Sequence, residues 1–111
     1  MYVYNAQINR WVDGDTVDVD IDLGFGIIFS NQRIRLWGID APESRTRDLV
    51  EKKLGKAATK FAEEFAPEGT TVKLTTHKTG KFGRILGEIE VDGVNLNQLM
   101  IKEGYANEYL G

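Results

Sequence analysis

The chain is 111 residues long, 41% hydrophobic and 28% charged, with 17 acidic against 14 basic residues and no cysteine. That length holds one hydrophobic core and therefore one domain, 1–111, which an ordinary globular composition can bury without disulfides; the missing cysteine also removes thiolate metal sites and thiol nucleophiles. No apolar run reaches the roughly 20 residues of a membrane span, and the start MYVYNAQINR lacks the blocks of a signal peptide. The expectation is of no membrane partner, and of either an intracellular protein or a mature or trimmed form.

In chain order, residues 2–12 are rich in Tyr, Val, Ile and Trp and read as a strand that ends in the turn signal DGD at 13–15. VDVDID at 17–22 alternates strictly, with Val17, Val19 and Ile21 on one face and Asp18, Asp20 and Asp22 on the other. Three aspartates on one strand face invite a metal reading, but anions two residues apart stand roughly 7 Å from each other, so a wet strand face is expected instead. LGFG at 23–26 turns the chain into a strand from about Ile27 to Trp37. Arg33, Arg35 and Trp37 share one face of it and Ile34 and Leu36 the other, so the arginines project together.

A charged loop, SRTRDLVEKK, is expected next. A helix follows, since Leu54, Ala57, Ala58, Phe61, Ala62 and Phe65 recur at three-four spacing and Pro67 and Gly69 stop it. Strands are expected at 70–76 and 84–92, with the glycine-bearing loop HKTGKFG between them, and a last helix over about Asn95–Glu103 that buries Leu96, Leu99 and Met100 before Gly104. Five strands, with a helix between the third and fourth, predict a β-rich α+β fold, a five-stranded OB-fold barrel with two to three helices.

The charge is uneven. Residues 33–84 carry a balance of +5 and the remainder −8, so a basic block sits inside an acidic chain and can form a face for phosphate or nucleic acid. Asp15 ends the first turn, Asp40 and Glu43 follow the third strand, and a barrel brings all three towards Arg35. Carboxylates without His or Cys suit a hard, oxygen-seeking cation, Ca²⁺ or Mg²⁺. Arginines beside such a cation suit phosphate, whose oxygens the guanidinium fork binds in pairs. His77 reads as a solvent-exposed histidine. Trp37 reads as packing or as a surface for a base, and Tyr105 and Tyr109 as cleft lining or barrel cover.

Taken together, DGDTV at 13–17, RIRLWGIDAPE at 33–43 and KFGRILGEI at 81–89, followed by GYA at 104–106, resemble the staphylococcal nuclease family. The resemblance implies an OB-fold nuclease that uses Ca²⁺ to hydrolyse DNA and RNA, leaving 3′-phosphate ends. It implies Asp15 and Asp40 as side-chain calcium ligands and Ala41 as a backbone carbonyl ligand. Glu43 would activate the water, and Arg35 and Arg84 would hold the phosphate and stabilise the transition state. Lys78, Lys81, Phe82 and Tyr105 would line the path of the substrate, and the chain is expected to act as a monomer. The chain departs from the family at GKFGR, where Gly80 stands for a common Asp and Phe82 for a common Tyr. The second reading is an OB-fold module that binds nucleic acid or protein without turnover, although such modules would be expected to lose the carboxylates or arginines kept here.

Overall fold

The computed structural model describes residues 1–79 and 83–109; Gly80, Lys81, Phe82, Leu110 and Gly111 lie outside the described residues, as do the side chains of Lys78 and Thr79. Three long strands come first: β1 (Tyr2–Asp13), β2 (Thr16–Gly24) and β3 (Ile27–Leu36). A two-residue strand β4 (Ile39–Asp40) precedes helix α1 (Leu49–Phe65). Then follow β5 (Thr71–Thr79), β6 (Ile85–Val91), the short β7 (Val94–Asn95), helix α2 (Leu96–Lys102) and the short β8 (Asn107–Glu108). The five long strands close into a barrel in the order β3-β2-β1-β5-β6, with β6 returning to β3 as a parallel neighbour. This is the expected OB-fold, and closure leaves the fourth barrel strand beside the first rather than beside the third.

Alternation fills the barrel as predicted. Val17, Val19, Ile21, Ile34, Leu36, Val72, Leu74 and Ile89 are all buried. One device was not visible in the pattern: β1 carries a bulge between Ile8 and Arg10. The extra residue reverses the faces, so after Ala6 and Ile8 it is Trp11 that enters the core, while Arg10 points out towards Asp18. The Trp11 indole N–H then donates to the Ala66 carbonyl at 2.9 Å and ties β1 to the end of α1.

Helix α1 starts five residues before the expected Leu54. Asp48 caps it by accepting from the Val50 and Glu51 amides, inside the stretch read as a charged loop. The periodicity failed there because Leu49, Val50 and Leu54 are exposed. The inward face is made of Gly55, Ala58 and Ala62, with Phe61 and Phe65 partly buried beside it, so Ala57 and Leu54 do not face the core. Small residues are required because the helix lies so close to the turn after β1: a Cβ placed on Gly14 would stand 2.8 Å from that of Ala58.

The aspartate face of β2 is not the wet surface expected. Asp18 is buried under Arg33, whose Nε and Nη2 donate to it at 2.8 and 3.2 Å. Asp20 accepts from Asn9 and from the Asn31 amide, and only Asp22 is exposed. The outer end of the β2–β3 hairpin keeps Leu23, Phe25, Ile27, Ile28 and Phe29 in solvent.

Candidate active site

The centre of the site is Asp15, at the end of the β1–β2 turn. Its side chain is only 8% exposed and is fixed on three sides. The Thr16 hydroxyl donates to Oδ1 at 3.0 Å, the Ala41 amide donates to Oδ2 at 2.8 Å, and Arg35 Nη1 stands 3.2 Å from Oδ2. Burial pushes the Asp15 carboxyl above its usual range, against the lowering effect of the Ala41 amide, Arg35 and Thr16; the nearby charge of Asp40 raises it further. For this carboxylate the cost of burial outweighs the one cation in contact with it.

Arg35 reaches it because β2 and β3 pair Thr16 with Arg35, placing the arginine beside the turn that carries Asp15. The guanidinium is anchored from behind, with Nη1 donating to the Ile39 and Leu36 carbonyls at 2.9 and 3.2 Å. Nη2 donates to Asp40 Oδ1 at 3.2 Å. One cationic group therefore bridges the two aspartates. Asp40 itself is 60% exposed at its side chain, and its backbone is held by pairing of β4 with β8, Asp40 opposite Asn107. Two residues per strand are too few for a periodic signal, so this clamp was not foreseen.

Arg33 does not join Arg35 in facing a phosphate, since Asp18 occupies it. Glu43 is exposed on the loop after Asp40. Its backbone is fixed from two sides: Asp13 Oδ1 accepts from the Ser44 hydroxyl and amide at 2.7 and 3.3 Å, and the Glu43 carbonyl backs onto Gly55 of α1. A Cβ at position 55 would lie 2.3 Å from that carbonyl. Gly55, Thr16 and the Asp13–Ser44 tie are functional supports that sequence reasoning missed, because each acts through a partner distant in sequence.

Arg84 is half-buried just before β6, and its Nε has no partner among the described residues. The pairing of Ile85 with Ile34 and of Leu86 with Arg35 places it at the same end of the barrel as the third strand's exit. Of the expected substrate-path residues, Lys81 and Phe82 lie outside the described residues, and nothing is described of the Lys78 side chain. Tyr105 stacks on Phe61 with ring centres 4.5 Å apart, and Tyr109 is exposed. His77 is not the exposed histidine expected. Its side chain is 16% exposed, its Nε2 lies 2.6 Å from Glu88 Oε2, and its ring stacks on Trp37.

Among the described residues no three His, Cys, Asp or Glu side chains gather as a metal-holding group, so Glu43 is not drawn in with the two aspartates. What is present fits an oxygen-seeking ion held weakly: a desolvated carboxylate, a second carboxylate joined to it through a single arginine, and, among the described residues, no His or Cys side chain bonded to either.

The profile of the family described as staphylococcal nuclease homologue matches residues 33–110. A protein of Escherichia coli named an uncharacterized endonuclease is 34% identical over 106 residues, which are 95% of this chain and 61% of that one. The thermonuclease of Staphylococcus intermedius is 28% identical over 100 residues, 89% of this chain and 56% of its own. A probable staphylococcal-like nuclease of rice, Oryza sativa subsp. japonica, is 35% identical over 86 residues, 78% of this chain and 24% of its own. The chain spans 42% to 61% of the length of the first curated relatives it matches.

Proposed function

The chain belongs to the staphylococcal nuclease homologues, and from that premise we propose that it is a nuclease that uses Ca²⁺ to hydrolyse DNA and RNA to products with 3′-phosphate ends. The observation that carries the reading is the Arg35 bridge between Asp15 and Asp40, where two anions and a cation share a small, partly buried space. Names of relatives add support, since the similar proteins from Escherichia coli and Staphylococcus intermedius are called an endonuclease and a thermonuclease.

Asp15 and Asp40 are the side chains that would hold the ion, with the Ala41 carbonyl as a third oxygen. When bound, the ion supplies positive charge to the phosphate under attack. The remaining work falls to the chain. Arg35, pinned by two carbonyls, presents a guanidinium whose orientation is fixed before substrate arrives, so no reorganisation cost falls on the transition state. Arg84, with an unpartnered Nε among the described residues, is the second phosphate donor in this reading. Glu43 accepts the proton of the attacking water; its exposure leaves room for that water, and the Ser44 tie limits its wandering.

Two carboxylates and one carbonyl make a weak site, which suits environments with calcium at about 10⁻⁴ to 10⁻³ M. Mg²⁺ should support cleavage poorly, because its octahedral shell tolerates so open an arrangement less well. The test is incubation with single-stranded DNA, plasmid and RNA in Ca²⁺ and then in chelator. Cleavage that stops in chelator and returns with Ca²⁺ is the expected result. Cleavage that persists in chelator would remove the metal from the reading, and binding without cleavage in Ca²⁺ would replace the nuclease by a binding module.

A further inference from the structure

Trp37 is an exposed aromatic residue two positions after Arg35 that the proposed reaction does not use. It opens the turn that follows β3, and 44% of it is exposed. The His77 ring lies parallel to the indole, with centroids 4.1 Å apart and 5° between the planes, and nearly half of Trp37 still meets solvent.

The support beneath that stack is unusually complete. A register shift between Thr76 and Lys78 makes His77 the extra residue of a bulge in β5, and bulges re-aim side chains. His77 Nε2 meets Glu88 Oε2 at 2.6 Å, and the other oxygen of Glu88 accepts from Asn95 Nδ2 at 2.8 Å. The Trp37 backbone is fixed as well. Its amide donates to the Gly87 carbonyl at 2.8 Å, and its carbonyl accepts from Nδ2 of the buried Asn97 at 2.8 Å. The indole is thus held at its base and on one face before any ligand arrives, so little side-chain entropy remains to be lost on stacking.

Position supplies the rest. Trp37 is the first residue after β3, and its amide still bonds to β6. Arg35 ends the outward alternation of β3 and turns to Asp15 and Asp40, while Trp37, two residues on in the turn that follows, lies over β6 on His77; the exit of one strand thus carries a guanidinium and a flat ring, and a nucleotide is an anionic group joined to a flat ring. Resting on the nucleic-acid substrate proposed above, we propose that the exposed part of the Trp37 ring is a stacking platform for an unpaired base of a strand whose phosphate Arg35 grips, with His77 as the residue that positions it. Bases in a duplex are already stacked and paired, so the platform favours single strands, through any base, since every base has a π-face.

The test separates stacking from catalysis by working in chelator. Affinities of a short oligothymidylate and of an abasic oligonucleotide of equal length and charge are measured for the parent, Trp37→Phe, Trp37→Ala and His77→Ala. The parent should prefer the oligothymidylate by about 5- to 100-fold. Trp37→Phe should keep much of that preference. Trp37→Ala should lose it while binding the abasic strand as the parent does, and His77→Ala should reduce it with the ring still present. Fluorine NMR of 5-fluorotryptophan in the native chain guards against a variant that fails to fold: the Trp37 signal should move with the oligothymidylate and not with the abasic strand. Equal affinity of the parent for the two strands, a Trp37→Ala variant that keeps the preference, or no binding of either strand would each overturn the platform. A chain that prefers bases yet never cleaves in Ca²⁺ keeps the platform and loses the nuclease; one that cleaves without base preference does the reverse.

Discussion

Burial makes the charge of Asp15 unfavourable where it stands. Its carboxyl is raised by burial, so between the unfolded and folded values the native state binds the proton more tightly than the unfolded chain does. Stability contributed by Asp15 is then greatest at acid pH and is lost as pH rises from near 4 through the raised value. Asp20 has the opposite sign: the Asn9 side chain and the Asn31 amide lower it, and its contribution is lost as pH falls. Subtracting an Asp15→Asn variant isolates the first effect. In chelator that variant should be more stable than the parent at pH 7, and the difference should shrink towards pH 4 in urea melts; Ca²⁺ should raise the melting temperature of the parent and not of the variant. Glu43→Gln, which keeps size but removes the basic oxygen, should lower cleavage of saturating substrate on the order of 10²- to 10⁴-fold while calcium and nucleotide affinities change little. The acidic and basic residues of this centre were legible in the sequence because strand alternation and two turns bring them to one end of a barrel. Thr16, Asp13 and Asn97 were not, since a polar side chain shows its partner only after the chain has folded back on itself.

At the scale of elements, the closeness of α1 to the loop bearing Glu43 is set by a hydrogen atom. The Gly55 position leaves no room for a methyl group, the Glu43 carbonyl being 2.3 Å from where a Cβ would stand. Gly55→Ala should cost about 1–3 kcal/mol in denaturant unfolding, as overpacking does, although alanine is the better helix former. Its sharper effect should appear in kcat, because the displaced backbone carries the proposed base; an unchanged kcat at full folding would show that the loop absorbs the shift elsewhere. Strand content and barrel type could be read directly from alternation over 17–22 and 33–37, a pattern long enough to fix the buried face. The onset of α1 could not, because its first turn exposes leucine and valine, and its buried stripe of Gly55, Ala58 and Ala62 has almost no hydrophobic signature. The pairing of β4 with β8 was beyond reach for a different reason, two residues being shorter than the period that a strand pattern needs.

For the molecule as a whole, net charge conceals a basic block, and the salt response should expose it. Nucleic-acid affinity in chelator should fall steeply as salt rises, and Lys81→Ala should reduce the slope of log affinity against log salt by about 1. A flat response would mean the block is only a solvated surface. The barrel itself closes unevenly. Among the described residues the β1–β2, β2–β3, β1–β5 and β5–β6 seams each pair six or seven residues, whereas β3 meets β6 through Ile34, Arg35 and Leu36. That narrow join lies between the strand that carries Arg35 and the strand that follows Arg84. It is the natural line for local opening, and the Trp37 amide, bonded to the Gly87 carbonyl across it, should exchange its hydrogen for deuterium sooner than the Val19 amide inside β2. A phosphate gripped by both arginines would span the line and slow that exchange, so the narrowest described seam of the barrel is one that a bound substrate would help to sew.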